Sequence, residues 1–143
     1  MKNTFALSLL LVLIGFTYSA RPAQAASATE IAALTALYNA TDGANWGDNT
    51  NWLSGDPCTN NWYGVTCTAG SITGITLRNN SLSGAIPPEL GNLANLSSLH
   101  LPYNSLSGAI PPELGNLANL EVLRLVANSL SGAIPPELGN LAN

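Results

Sequence analysis

A fifteen-residue sequence, Ser81-Leu-Ser-Gly-Ala-Ile-Pro-Pro-Glu-Leu-Gly-Asn-Leu-Ala-Asn95, occurs three times in this chain without a change. The second copy spans Ser105–Asn119 and the third spans Ser129–Asn143, so each copy begins 24 residues after the one before it. A fixed period of about 20–50 residues is typical of a solenoid, in which each unit buries its apolar face against its neighbours. The period therefore predicts three stacked units over residues 69–140, of which the first is irregular at its start.

Within each unit the residue types predict a short strand followed by a turn. Leu99 and Leu101 alternate with polar or outward positions, which is the pattern of a half-buried strand. Asn104 follows at the turn, where its amide can satisfy backbone groups that a sharp bend leaves unpaired. Gly108 permits backbone conformations that other residues resist. Pro111 and the proline after it disfavour helix and ladder pairing, so we expect an extended or tightly turned return path.

This pattern resembles the plant-type leucine-rich repeat family, whose units carry Leu-x-Gly-x-Ile-Pro after the asparagine. The match covers residues 69–143 in three consecutive, in-phase copies. The resemblance implies an α/β solenoid, a right-handed leucine-rich repeat horseshoe with a parallel β-sheet on its concave face and an N-terminal helical cap. Proteins of this kind include receptor-like ectodomains and secreted inhibitors. A disordered low-complexity repeat is the alternative, and the regular ladder of leucine and isoleucine disfavours it.

Residues 1–25 predict a secretory signal peptide that is cleaved. Lys2 supplies a positive start, residues 5–16 are apolar, and Ala23-Gln24-Ala25 has the small-x-small form of a cleavage site. A retained membrane anchor is the alternative, but the apolar run is short for a spanning helix. We therefore expect no membrane span in the mature chain and a secreted, periplasmic or cell-surface location.

The residues that follow the signal peptide are acidic. Arg78 and Arg124 are their only basic residues, against eight Asp and Glu, which gives a net charge of −6 with histidine neutral. This sign disfavours nucleic acid and anionic membrane surfaces as partners.

Cys58 and Cys67 are the only cysteines of the chain. In an exported chain a close pair most simply forms a disulfide. A zinc site would need further ligands nearby, and the Cys-x-x-Cys spacing of redox motifs is absent. We expect a disulfide, no metal and no cofactor.

Residues 26–68 predict a cap for the first unit. Ser27 and Glu30 have the spacing of a capping box, and apolar residues then recur at helical spacing, so we expect a helix over 27–41 that Gly43 ends. The loop that follows is rich in Asn, Asp and Gly. The element Cys58…Trp62-Tyr-Gly-Val-Thr-Cys67 is similar to the N-terminal cap of plant-type leucine-rich repeat proteins.

The three tryptophans of the cap, Trp46, Trp52 and Trp62, allow two interpretations. A solenoid end exposes an apolar cross-section and an unpaired strand edge, so it needs a lid with an apolar core. The tryptophans could instead form a platform on which sugars stack. We favour the lid core.

Stacking the units places residues 24 positions apart in columns on the sheet. The outward positions differ between units while the supporting framework is constant, which is what a binding surface on a rigid scaffold requires. Tyrosine and arginine are frequent interface hot spots. Ordinary solvated sheet surface is the alternative for each single residue. The candidate binding residues on the concave face are Thr76, Arg78, Asn79, His100, Tyr103, Glu121 and Arg124.

The residue pattern does not predict catalysis. His100 is the only histidine, and the pattern places no acid that would orient it beside Ser98 or Thr76. Glu89, Glu113 and Glu137 fall in one column, but carboxylates in single file lack the six or more oxygen ligands that calcium takes. We therefore expect a protein that is not an enzyme.

The sequence stops at residues 141–143, three residues into a fourth unit. Because a solenoid needs a polar terminal unit, we expect either a longer protein or self-association through the open end. Asn39, Asn79 and Asn95 begin glycosylation sequons, which matter only in a eukaryotic secretory pathway.

These observations favour a non-catalytic recognition module of an exported or cell-surface protein that binds a protein or peptide on the concave face. Glycan or cell-wall binding is the first alternative, and a structural or ice-binding surface is the second.

Overall fold

The computed structural model describes residues 24–141. The predicted signal peptide therefore lies outside the described residues except for its last two positions, and so do the last two residues of the chain. The elements are one helix, α1 (Ala28–Ala40), and seven strands. The strands are β1 (Val65–Thr68), β2 (Ser71–Thr76), β3 (Ser83–Ala85), β4 (Ser98–His100), β5 (Ser105–Gly108), β6 (Val122–Arg124) and β7 (Ser129–Leu130).

The capping box at the start of α1 is confirmed. The Ser27 hydroxyl accepts from the Glu30 N–H, and the Glu30 carboxylate accepts from the Ser27 N–H at 2.9 Å. The predicted stop was wrong by one residue, because Asp42 adopts the left-handed conformation, with φ 59°, that ends the helix. Gly43 instead begins a short 3-10 turn and lies against the ring of Tyr38, where a Cβ atom would collide.

A four-stranded sheet forms one face of the solenoid, in the order β1-β2-β4-β6. Strands β2, β4 and β6 are parallel, as expected, and each comes from one unit. Strand β1 was not predicted; it belongs to the cap and pairs antiparallel with β2. The turn between them, Ala69-Gly70, has φ values of 50° and 82°, which suit a tight hairpin. Because β1 pairs with the outer edge of β2, the cap closes this end of the sheet.

A second sheet was also missed. Strands β3, β5 and β7 form a three-stranded parallel sheet in which residues 22 positions apart pair, as Ser83 does with Ser105. Its residues precede the paired prolines. The second proline of each pair begins a 3-10 helix, over Pro88–Asn92, Pro112–Asn116 and Pro136–Asn140. The expectation that the prolines disfavour helix was therefore wrong at this position, where the missing N–H of proline costs nothing.

The turn asparagine of each unit binds the unit before it. The Asn104 side chain accepts from the N–H groups of Asn80 and Leu82 at 2.9 and 3.1 Å and donates to the Leu77 carbonyl at 2.8 Å. Asn128 makes two of these bonds one unit later, with the Leu106 N–H and the Leu101 carbonyl. Asn80 has no unit before it, so its amide bonds the backbone of Asp48 in the cap. This column of amides fixes the spacing of the coils.

The core is a stack of leucine and isoleucine side chains between the two sheets and the 3-10 helices. Leu77, Leu99 and Leu101 are fully buried. Burial decreases along the stack, since Ile86 is 3% exposed and its equivalent Ile134 in the third unit is 75% exposed. Each coil therefore depends on the next one for the burial of its apolar cross-section. In such a one-dimensional array the stability is approximately the sum of the stabilities of the units and of the interfaces between neighbours.

Candidate ligand-binding face

The outward columns of the four-stranded sheet have the register that the 24-residue period predicts. Thr76 pairs with His100, and His100 pairs with Arg124. Thr76 and Arg124 are exposed, and His100 is half-buried between them. Leu99, one position earlier, points inward and is fully buried. Alternation along each strand therefore separates this central column from the core beneath it.

Pairing continues beyond the strand ends to the remaining candidate residues. The Asn79 N–H donates to the Pro102 carbonyl and the Tyr103 N–H donates to the Val126 carbonyl, each at 3.0 Å. Asn79 and Tyr103 were expected at outward positions of the sheet strands, and this was wrong. They adopt left-handed conformations with φ between 49° and 58°, in the turn that follows each strand.

Arg78 and Tyr103 contact one another across neighbouring units. The guanidinium carbon of Arg78 lies 4.6 Å from the centre of the Tyr103 ring, within cation–π distance. Tyr103 is 49% exposed although it is large and apolar in its ring. The pair forms a flat, exposed platform at one end of the central column.

The other candidate residues lie around this platform and column. Asn79 is exposed beside Tyr103 in its own column. Glu121 is exposed at the opposite end of the sheet, where its N–H donates to the Ser97 carbonyl at 2.9 Å. The structure thus brings Thr76, His100 and Arg124 into one column and Arg78 against Tyr103, and it separates Glu121 from both.

His100 has an unsatisfied ring nitrogen. Its Nε2 atom is buried and has no hydrogen-bond partner among residues 24–141. A buried polar atom without a partner costs about 1–3 kcal/mol. The central column therefore carries a polar group that the fold by itself does not satisfy.

The tryptophans form the core of the cap. Trp46, Trp52 and Trp62 are between 2% and 7% exposed. Their indole N–H groups donate to the backbone carbonyls of Thr41, Tyr63 and Ser54 respectively, at 2.8–2.9 Å. Their rings also pack on one another, with centroids 4.8 Å apart for the first two and 5.1 Å for the last two. Little indole surface remains on which a sugar could stack.

Two carboxylates of the cap have roles that the sequence did not indicate. Glu30 is buried at the start of α1, and its second oxygen accepts from the Ile72 N–H of β2 at 2.9 Å. Burial raises the pKa of Glu30, but hydrogen bonds from Ser27 and Ile72 lower it by more, so the pKa is below its usual value. Asp56 accepts from the Ala26 N–H at 2.8 Å and from the Cys58 N–H at 2.9 Å. No spacing rule connects such residues, because their partners come from elsewhere in the chain.

The predicted disulfide between Cys58 and Cys67 is confirmed, with Cα atoms 5.5 Å apart. It joins the loop between Trp52 and Trp62 to β1. Among residues 24–141 there is no group of three or more His, Cys, Asp or Glu side chains that could hold a metal ion. Within the same range no helix is long and apolar enough to cross a membrane.

Family models match most of the chain. Residues 27–68 match a leucine-rich repeat N-terminal domain. Residues 71–93, 95–117 and 119–141 each match a leucine-rich repeat. The chain belongs to the leucine-rich repeat family. The predicted family and fold class are thereby confirmed.

The curated relatives of this leucine-rich repeat chain include plant receptor kinases. A probable leucine-rich repeat receptor-like protein kinase of Arabidopsis thaliana is 35% identical over 74 residues, which cover 51% of this chain and 7% of the relative. The receptor protein kinase WSS1 of Oryza sativa subsp. japonica is 42% identical over 48 residues, which cover 34% and 5%. The chain thus matches only a small part of each relative's length.

Solved structures of plant proteins share the fold. The BIR2 ectodomain from Arabidopsis thaliana has a TM-score of 0.68 and 35% identity, over 79% of this chain and 62% of that one. The PEPR1-AtPEP1 structure has a TM-score of 0.58 and 27% identity, over 79% and 20%. A plant ice-binding protein has a TM-score of 0.53 and 28% identity, over 84% and 47%.

Proposed function

We propose that this chain is a non-catalytic recognition module of an exported or cell-surface protein, and that it binds a protein or peptide on the concave face of the four-stranded sheet. One observation carries the proposal. The inward residues of the units repeat almost without change, whereas the outward columns hold different side chains in register. A rigid framework under a varied surface supports selective binding at little cost to folding.

The chemistry of the face supports a protein or peptide partner. Tyr103 and Arg78 are residue types that often dominate binding energy, and both are exposed. The family relationship supports the same proposal, since the relatives include receptor kinases and the neighbouring structures include receptor ectodomains and a PEPR1-AtPEP1 structure. Receptor ectodomains face the outside of the cell, which accords with export of this chain.

The test is selection from a random 12-residue peptide library displayed on phage, with the secreted full chain immobilised. We expect enriched peptides whose binding weakens at least tenfold when Tyr103→Ala is introduced. Tyr63→Ala is the matched control, because Tyr63 is 40% exposed, close to the 49% of Tyr103, but lies in the cap. The proposal fails if the library gives no enrichment over a blank surface, or if Tyr63→Ala and Tyr103→Ala weaken binding equally.

A further inference from the structure

The basic side chains of the described residues lie on one side of the solenoid. Arg78, His100 and Arg124 are the only Arg, Lys or His between residues 24 and 141. His100 and Arg124 are outward residues of the four-stranded sheet, and Arg78 lies in the turn two residues after the end of β2. Seven of the eight acidic residues lie elsewhere, in the cap or on the 3-10 helices, and Glu121 alone shares the face, at its far end. A chain with a net charge of −6 after residue 25 therefore presents a local basic surface.

These basic side chains have no acidic partner among the described residues. The described residues place the Arg78 guanidinium over the neutral ring of Tyr103 and give neither arginine an ion pair with a carboxylate. A cation–π contact leaves the charge and most of the N–H donors of a guanidinium available to a second group. His100 lies on β4, between the unit of Arg78 and the unit of Arg124, and its Nε2 atom has no partner among residues 24–141.

The spacing of these groups fits an extended chain. Thr76 is aligned through His100 with Arg124 two strands away, and Arg78 lies two residues beyond Thr76, where backbone pairing continues through the Asn79 N–H. With strands about 4.8 Å apart and a rise of about 3.3 Å per residue, the Cα atoms of Arg78 and Arg124 are about 12 Å apart. In an extended peptide, alternate side chains are about 7 Å apart, so flexible arginine side chains can reach two carboxylates on the same segment.

We propose that the ligand of this face is an extended acidic peptide segment that carries at least two carboxylates, bound by Arg78 and Arg124 on either side of the strand that carries His100. The proposal rests on the proposed function and adds the chemical class of the ligand. Arginine binds carboxylates through paired hydrogen bonds, and Tyr103 offers an apolar platform for the residue next to them.

The test uses the full secreted chain and synthetic nine-residue peptides that differ only in holding two Asp, two Asn or two Lys at alternate positions. The decisive variant is R78Q/R124Q. Its matched control, N92D/N116D, also lowers the net charge by two, but at exposed residues of the 3-10 helices away from the sheet. We expect the Asp peptides to bind best, to weaken with added salt, and to weaken at least tenfold in R78Q/R124Q but less than threefold in N92D/N116D.

Other outcomes separate the two proposals. Equal binding of Asp and Asn peptides, or equal losses in the two charge variants, overturns the acidic-ligand proposal and leaves peptide recognition standing. The same assay is repeated with polygalacturonate, an acidic polysaccharide. If the chain binds polygalacturonate but none of the peptides, the ligand of this face is an acidic glycan and the acidic-peptide proposal is overturned. Failure of these peptides and of the polysaccharide overturns the acidic-ligand proposal, and the proposed function falls with it only if the random peptide library also gives no enrichment.

A different observation concerns the start of the mature chain. The Ala26 N–H donates to the Asp56 carboxylate at 2.8 Å, and Ala26 is 9% exposed, whereas Ala25 and Gln24 are exposed. The other Asp56 oxygen is fixed by the N–H groups of Cys58 and Thr59. The carboxylate is thus positioned before the chain is processed.

We infer that cleavage of the Ala25–Ala26 bond creates an α-ammonium group that pairs with Asp56 and fastens the start of the cap. An α-amino group titrates near pH 8 in an unfolded chain, and an adjacent carboxylate raises its pKa in the folded state. The stabilisation is therefore complete below about pH 8 and is lost as the pH rises through the folded-state value. Glu30, the other charged group near Asp56, is already ionised throughout this range.

The experiment combines the intact mass of the exported protein with urea unfolding between pH 7 and 9.5. We expect a chain that begins at Ala26, and a stability that decreases with pH in the wild type but much less in Asp56→Asn. A second variant keeps Asp56 but places Gly-Ser before Ala26, so that the nitrogen is a neutral amide, and it too should lose the pH dependence. A different first residue, or parallel pH profiles for all three proteins, overturns the inference.

Discussion

Replacement of Asn104 by alanine should destabilise the solenoid more than any other single change in the column of turn asparagines. The side chain accepts two backbone N–H groups, from Asn80 and Leu82, and donates to the Leu77 carbonyl of the unit before it. Alanine would leave these three groups unpaired in a half-buried turn. At about 1 kcal/mol for each lost bond, the expected cost is about 3 kcal/mol of unfolding free energy.

The neighbouring unit supplies an internal comparison. Asn128 accepts only one N–H, from Leu106, and lies next to the exposed end of the stack, so Asn128→Ala should cost about 1–2 kcal/mol. Asn116→Ala is the matched control, because this asparagine is exposed on a 3-10 helix, and its change should stay within about 0.5 kcal/mol.

The assay is urea unfolding of the purified secreted protein, followed by circular dichroism and by tryptophan fluorescence. The three tryptophans lie in the cap, so agreement of the two probes shows that cap and repeats unfold together. With an unchanged m-value, the shift in midpoint converts directly to free energy. The reasoning is refuted if Asn104→Ala unfolds within 0.5 kcal/mol of the control, or if Asn128→Ala costs more.

Three further changes test the cap and its junction with the first unit. Glu30→Gln should cost about 1–3 kcal/mol at pH 7. Because the folded-state pKa of Glu30 is lowered, the wild-type contribution is complete above about pH 4.3 and decreases as the pH falls below that value, so the difference between wild type and variant should shrink in urea titrations at progressively more acidic pH. Removing the disulfide as C58S/C67S should lower the free energy of unfolding by about 2–3 kcal/mol, and reducing agent should then have no further effect. Gly84→Ala should cost more than about 1 kcal/mol in thermal unfolding, because φ is 100° and the new Cβ would meet the Ala40 carbonyl, whereas Gly139→Ala, which has nothing within 4 Å, should be nearly neutral.

The parts of the fold that follow local rules could be predicted from the sequence. The period of 24 placed Thr76, His100 and Arg124 in one column, and pairing along parallel strands preserves that register. The start of α1 was predicted because Ser27 and Glu30 satisfy each other over three residues. In both cases the residues that interact have a fixed separation, so spacing alone carries the information.

The parts that were missed depend on partners at no fixed separation. Strand β1 forms because Ala69, a residue without glycine's freedom, adopts a left-handed turn that tertiary pairing stabilises. The three-stranded sheet pairs residues 22 positions apart, a stagger between coils that the 24-residue period does not contain. The hydrogen bond between Glu30 and the Ile72 N–H joins residues 42 positions apart in the sequence. These two residues meet only because the cap packs against the first unit.

The turn asparagine of each unit allows the neighbouring residue on the candidate face to differ from unit to unit. Tyr103 occupies a left-handed conformation that a bulky residue ordinarily resists, at a cost of about 1–2 kcal/mol. Its backbone is held there by the N–H bond to Val126 and by the Asn104 amide, whose nitrogen also donates to the Leu101 carbonyl at 3.1 Å. The equivalent positions hold asparagine and alanine in the same conformation, at Asn79 and Ala127. Since the framework fixes the backbone whatever the side chain, substitutions on this face change what it binds while leaving the coil beneath it intact.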